Sequence, residues 1–127
     1  MSQADVDVVE QFLKAFAAQD IETFFSLCSP DIVVDEGAGL PYAGRYEGPA
    51  GLQDLVGKMM AAYEMTLDSF QVSDGGDCAI ARLDLSFTAR ASGRSTKMPA
   101  MEIYKTSGGK VTDIDVYYKS TTAIAEL

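Results

Sequence analysis

The sequence contains no histidine. That removes the side chain that most often serves as a base near neutral pH and most often binds a metal. It also excludes Ser-His-Asp and Cys-His nucleophilic machinery. Cysteine is nearly as scarce. Cys28 and Cys78 lie far apart, each inside an apolar pattern, and no Cys-x-x-Cys occurs. They read as small buried hydrophobes whose thiols stay protonated. There are 10 basic residues against 19 acidic ones, a net charge of −9. The basic residues are scattered, so no stripe is available to neutralise phosphates. Neither nucleic acid nor a membrane is an expected partner. No apolar run approaches the roughly 20 residues that span a bilayer. Residues 1–5 carry no basic stretch and lead into no apolar core, so no signal peptide is read and a cytoplasmic location is expected. The acidic groups Asp74/Asp77 and Asp113/Asp115 lack the spacing of a calcium loop. No metal and no cofactor is expected.

What is present is 127 residues, 47% of them hydrophobic. That suits one domain, 1–127, with one core. Ser2 and Asp5 have capping-box spacing. Val9, Phe12, Leu13 and Phe16 then recur at helical intervals, predicting a helix over 5–18. Asp20 can cap a second helix over 21–28, which Ser29-Pro30 ends. Residues 32–36 read as a short strand and 37–48 as a glycine-rich loop or irregular hairpin. Pro49 opens a third helix, with Leu52, Leu55, Val56, Met59, Met60 and Tyr63 on one face. From Met65 the period changes to two. Strands are expected at 65–73, 78–90, 97–106 and 111–121, joined by glycine turns into an antiparallel meander. The class is therefore α+β, three N-terminal helices packed on an antiparallel sheet.

This order, and several segments within it, resemble the nuclear transport factor 2-like superfamily, specifically its SnoaL-like and ketosteroid isomerase-like group. The segments are Val8-Val9-Glu10-Gln11-Phe12 leading to Ala17-Ala18-Gln19-Asp20, and Cys28-Ser29-Pro30-Asp31-Ile32-Val33-Val34. Gly44-Arg45-Tyr46-Glu47-Gly48-Pro49 and Ser107-Gly108-Gly109-Lys110-Val111 complete the set. The resemblance covers essentially the whole chain. It implies a strongly curved sheet, an open cone of the cystatin-like kind, wrapped around the first helix with a pocket between them. It implies that the outer sheet face makes a two-fold dimer. It does not specify a chemistry, because the fold hosts isomerases, cyclases, hydrolases and plain binding domains.

Three residues are candidates for catalysis. Glu36 ends the strand after the second helix and shares parity with Val34, which would turn it inward. In proteins similar to ketosteroid isomerase this position holds the carboxylate that moves a proton between carbons. Desolvation would raise its pKa and make it a useful base. The alternative is a solvated acid at a strand exit. The resemblance places the enolate-stabilising donors of that chemistry at Phe12 and Met101, which cannot donate, and this argues against steroid isomerisation by the usual route. Arg82 and Asp84 share one strand face. An Arg-x-Asp followed by a Gly-Arg-Ser turn is similar to limonene epoxide hydrolase, where an Asp-Arg-Asp trio activates water. The second acid does not match: Val116 stands at its position and Asp115 is one residue off. The alternative for Arg82 and Asp84 is a cross-strand ion pair on a polar face.

Phe12, Phe16, Met59, Tyr63, Met101, Val116 and Tyr118 are expected to surround a pocket for a small apolar molecule. Two function classes stay open: an isomerase- or cyclase-type enzyme with a carboxylate base, and a non-catalytic binding or dimerisation module. An epoxide-hydrolase-like reaction is a further alternative. Glu102, Tyr104, Asp115 and Tyr117 are read as an outward row suited to a homodimer interface.

Overall fold

The computed structural model describes all 127 residues. Helix α1 spans Gln3–Ala17. The Ser2 side chain accepts from the Asp5 N–H at 3.2 Å, and the Asp5 carboxylate accepts from the Ser2 N–H at 3.0 Å. This reciprocal cap satisfies two of the donors that a helix start leaves free. The other Asp5 oxygen accepts from the Thr106 hydroxyl at 2.8 Å, which ties the helix start to the sheet. Val6, Val9, Phe12 and Leu13 form its buried stripe. Helix α2 is Ile21–Ser26, capped by Asp20 on the Thr23 N–H.

The second helix is shorter than its apolar pattern suggests, because Cys28-Ser29-Pro30 belongs to strand β1, Cys28–Glu36. Pairing with a distant strand decides this: Cys28 aligns with Val111, and the Val111 N–H donates to the Leu27 carbonyl at 2.8 Å. Pro30 is tolerated because it falls in an irregular stretch between the paired residues Cys28 and Val33. The loop after β1 returns as β2, Gly44–Glu47, which pairs antiparallel with β1. Gly48, at φ +73°, takes a left-handed turn that a side chain would strain, and Pro49 follows in the first turn of α3, Gly48–Ala62.

The meander is as the period-two pattern predicts: β3 Tyr63–Asp74, β4 Ala79–Ala89, β5 Ser95–Ser107 and β6 Lys110–Tyr118. Strand β4 alternates cleanly, with Ala79, Ala81, Leu83, Leu85, Phe87 and Ala89 buried. The last strand stops at Tyr118, and Ser120 caps a fourth helix, α4, Thr121–Ala125. Ile124 is fully buried there and its carbonyl accepts from the Tyr63 hydroxyl at 3.0 Å. The structure thus has four helices, not three. The sheet order is β2-β1-β6-β5-β4-β3, and the β1–β6 pair is parallel. Bulges at Leu67–Ser69 and Lys105–Thr106 add twist, and the sheet curls around α1 and α3. This is an α+β fold with a curled six-stranded sheet. No helix is long and apolar enough to cross a membrane.

Candidate functional site

Inside the curl, α1 and α3 do not fill the space against the sheet. A cavity of about 60 Å³ remains. Phe12 and Phe16 of α1, Met59 of α3, Val116 and Tyr118 of β6 line it together with Val34, Leu83 and Leu85. Of its nineteen lining residues only Glu36 and Glu102 carry ionisable acids, and no basic residue is among them.

Glu36 enters from the end of β1, with the inward parity it shares with Val34. Its Oε1 accepts from the Tyr118 hydroxyl at 2.9 Å, and the Tyr42 hydroxyl donates to the Tyr118 oxygen at 3.2 Å. Burial is the main cause that pushes the Glu36 carboxyl up to about 8, and the nearby Glu102 charge adds to it. The Tyr118 hydroxyl and the Gly37 N–H oppose the shift without cancelling it. Glu102 comes from β5, opposite Val116. Burial pushes its carboxyl to about 7, against a hydrogen bond from the Tyr104 hydroxyl at 2.6 Å. Burial holds the Tyr104 and Tyr118 phenols well above their ordinary value, so both remain donors.

Two carboxyls that share a dry space and repel each other lose their protons in two steps that belong to the pair. Between those steps one is ionised and the other protonated. Such a pair holds a base and a hydrogen-bond donor at once, the division of labour that proton transfer next to a carbonyl requires.

The structure separates the other two catalytic candidates from Glu36. Arg82 and Asp84 face out, on the opposite side of β4 from the cavity-lining Leu83 and Leu85. Asp84 accepts from the Ser69 hydroxyl at 2.7 Å, and it forms no ion pair with Arg82. The water-activating trio of the epoxide-hydrolase resemblance is therefore not assembled in the cavity. Met101 also faces out, 44% exposed, between Arg82 and Tyr117 on the neighbouring strands. Tyr63 is buried but stands off the cavity, packed between Tyr42 and Phe87.

The converse correction concerns Glu102 and Tyr104, which point inward although their polarity suggested an outer row. Asp115 and Tyr117 do lie outside, on the strand face opposite the cavity-lining Ile114, Val116 and Tyr118. A signal for the inward row was present: Met98, Ala100, Glu102 and Tyr104 share one parity, and two of the four are apolar. Tyr42 gave no signal, because it sits in the loop before β2. Cys28 is buried and its thiol is pushed up to about 11, while Cys78 is half-buried. No group of three or more metal-binding side chains gathers anywhere.

No curated protein matches the chain. Solved structures are similar over nearly all of it. A nuclear transport factor 2-like protein from Burkholderia xenovorans is 21% identical, with 99% of this chain and 96% of that one covered at a TM-score of 0.86. A protein from Pseudomonas putida provisionally named a polyketide cyclase is 23% identical, covering 100% and 99% at 0.84. TerC, co-crystallised with polyporic acid, is 19% identical, covering 98% of each chain at 0.87. At such identities these likenesses establish the fold. The sequence model of the SnoaL-like domain, in turn, matches residues 9–114. The chain belongs to the SnoaL-like domain family.

Proposed function

We propose that the protein binds a small apolar carbonyl compound in the cone and moves a proton on it, in an isomerase- or cyclase-type reaction. The observation that carries this reading is the pairing of Glu36 with Glu102 in an otherwise apolar cavity. With Glu36 at about 8 and Glu102 at about 7, the proton of the singly protonated pair rests on Glu36 in the free site. A carbonyl oxygen docked at Glu102 favours the protonated form there. Glu36, whose charge the Tyr118 hydroxyl stabilises, then takes a proton from a carbon beside the carbonyl. The electron pair moves onto the carbonyl oxygen, where protonated Glu102 donates a hydrogen bond. Glu102 thus supplies the donor that Phe12 and Met101 cannot. Return of the proton to another carbon completes an isomerisation. Attack of the enolate carbon on a second carbonyl of the same molecule, with the proton passing from Glu36 to the alkoxide oxygen so formed, completes a cyclisation. Structurally similar proteins provisionally named polyketide cyclases, and one co-crystallised with polyporic acid, agree with a site for a small organic molecule.

The test is exchange of the α-protons of simple ketones in D2O, followed by NMR, in the wild type and in Glu36→Gln. Catalysed exchange that Glu36→Gln abolishes supports the reading. No exchange in the wild type leaves a binding module instead, and undiminished exchange in the variant removes Glu36 as the base.

We also infer that two copies associate through the outer sheet face. Met101 and Tyr117, 44% and 54% exposed, stand side by side there in a groove rimmed by Arg82, Asp84 and Lys119. An apolar centre with a polar rim suits a two-fold interface. Light scattering checks it: a dimer in the wild type should become a monomer in Met101→Lys.

A further inference from the structure

The cavity at Glu36 and Glu102 has room for only a few water molecules. An organic ligand of ordinary size needs roughly 300 Å³ or more. A second hollow, of about 520 Å³, lies immediately outside, between the corner of α1 and α2, α3 and the start of β3. The two hollows share walls. Phe16, Phe24, Val56, Met65 and Leu67 line both. Ala17, Ile21 and Met60 are among the remaining lining residues of the outer hollow, Gln19 and Thr66 are its polar ones, and no charged residue lines it. Ile21 is 57% exposed, an isoleucine left facing water at its rim.

We propose that the two hollows are the two ends of one binding site. It takes a neutral, elongated, mostly apolar molecule, with a carbonyl end at the two carboxyls and an apolar body in the outer hollow. This rests on the proton-transfer reading for where the polar end sits. The dividing wall is built to yield. Phe16, Val56 and Leu67 are half-buried, so they can swing toward the outer hollow without opening the core. Met65 is an unbranched thioether that repacks readily. Opened, the combined space is of the size an organic ligand requires.

Charge sets the ligand class. An anionic end group would meet Glu36 and Glu102 in a dry space with no cation to pair with it. A protonated amine would hold both carboxyls ionised and remove the proton that the donor needs. A neutral carbonyl meets neither obstacle.

The experiment measures binding of methyl ketones of increasing chain length by calorimetry, beside alkyl carboxylates and alkylamines of matched length. The proteins are the wild type, Ala17→Trp and Glu36→Gln. Ala17 is exposed, so tryptophan there fills the outer hollow and leaves the core alone. In the wild type each added methylene should tighten ketone binding about fourfold, beyond the length that the inner cavity alone can hold. Carboxylates should bind about tenfold more weakly than ketones of the same length. Ala17→Trp should abolish the gain with length and bind the shortest ketones like the wild type. Glu36→Gln should keep the gain with length even if its proton exchange is lost, which separates failure of this site from failure of the base assignment. A plateau at the shortest ketones, an unchanged length dependence in Ala17→Trp, or tighter binding of carboxylates or amines would overturn the proposal.

Discussion

Asp68 and Glu36 are both carboxylates that accept hydroxyl hydrogen bonds, and their environments push them in opposite directions. On the outer face, Asp68 takes bonds from Ser86 and from Thr66, and they hold its carboxyl below its ordinary value. Inside the cone, Glu36 takes a bond from Tyr118 at a similar distance, yet burial carries it up to about 8. A hydroxyl donor favours the charged form in both places, so the donor is not what distinguishes them. Water is. A hydrogen bond adds to hydration on the outside and only partly replaces it within. The same sheet therefore offers one face where acids are inert solvated charges and one where they become proton carriers.

The largest effect that tests this contrast is on the proposed reaction. Glu36→Gln should lower ketone proton exchange by about a hundredfold to ten-thousandfold, the usual contribution of a general base. Glu102→Gln keeps an N–H donor and should lose on the order of tenfold. If the two variants exchange these magnitudes in the NMR assay, Glu102 is the base and Glu36 the donor.

Next in size is the dependence of stability on pH. Folded Glu36 and Glu102 hold their protons above the ordinary carboxyl value near 4.5, up to about 8 and about 7. Over that window the folded chain binds more protons than the unfolded chain, so stability must fall as pH rises. The loss should be on the order of a few kcal/mol between about pH 5 and pH 8, seen as a falling urea midpoint. The double variant Glu36→Gln, Glu102→Gln should flatten that fall. An unchanged slope would mean that both carboxyls are solvated.

A smaller effect is expected at Tyr118. Tyr118→Phe removes a donor to ionised Glu36, so the Glu36 titration followed by carboxyl-carbon NMR should move upward. A hydrogen bond to a charged group is worth about 1.5–3 kcal/mol, which sets the ceiling of the shift. A downward movement would contradict the bond. The smallest effect belongs to the outer face. Asp84→Asn should change stability by less than about 0.5 kcal/mol and leave proton exchange untouched, as for an ordinary exposed site.

How much of this could be read from the sequence follows the strength of local patterning. The capping box at Ser2 and Asp5, the α1 stripe and the meander of β3–β6 are legible because propensity and period agree there. The inward parity of Glu36 was legible for the same reason, through Val34. The parity of β5 was not. Glu102 is an acid, and an acid is assigned to solvent unless a cavity and the Tyr104 hydroxyl are known to receive it. That one slip also placed Met101 inside and the donor function outside. The early end of α2, the strand pairing of β2 within the irregular hairpin, and α4 were hidden because non-local partners decide them: β6 recruits Cys28, β1 recruits Gly44–Glu47, and Tyr63 anchors Ile124.

The parallel pairing of β1 with β6 also has a consequence for time. Val34 and Ile114 lie side by side in the sheet with most of the chain between them. Closing so long a loop is entropically slow, and contacts of high sequence separation delay folding. Until β6 arrives, β1 and β5 each present an unpaired edge that can capture other chains. Tyr118, which completes the Glu36 environment, arrives on the same strand. Assembly of the acid pair's surroundings is therefore a late event, and a nascent chain halted before Lys110 would lack the Tyr118 donor to Glu36 and be prone to aggregate.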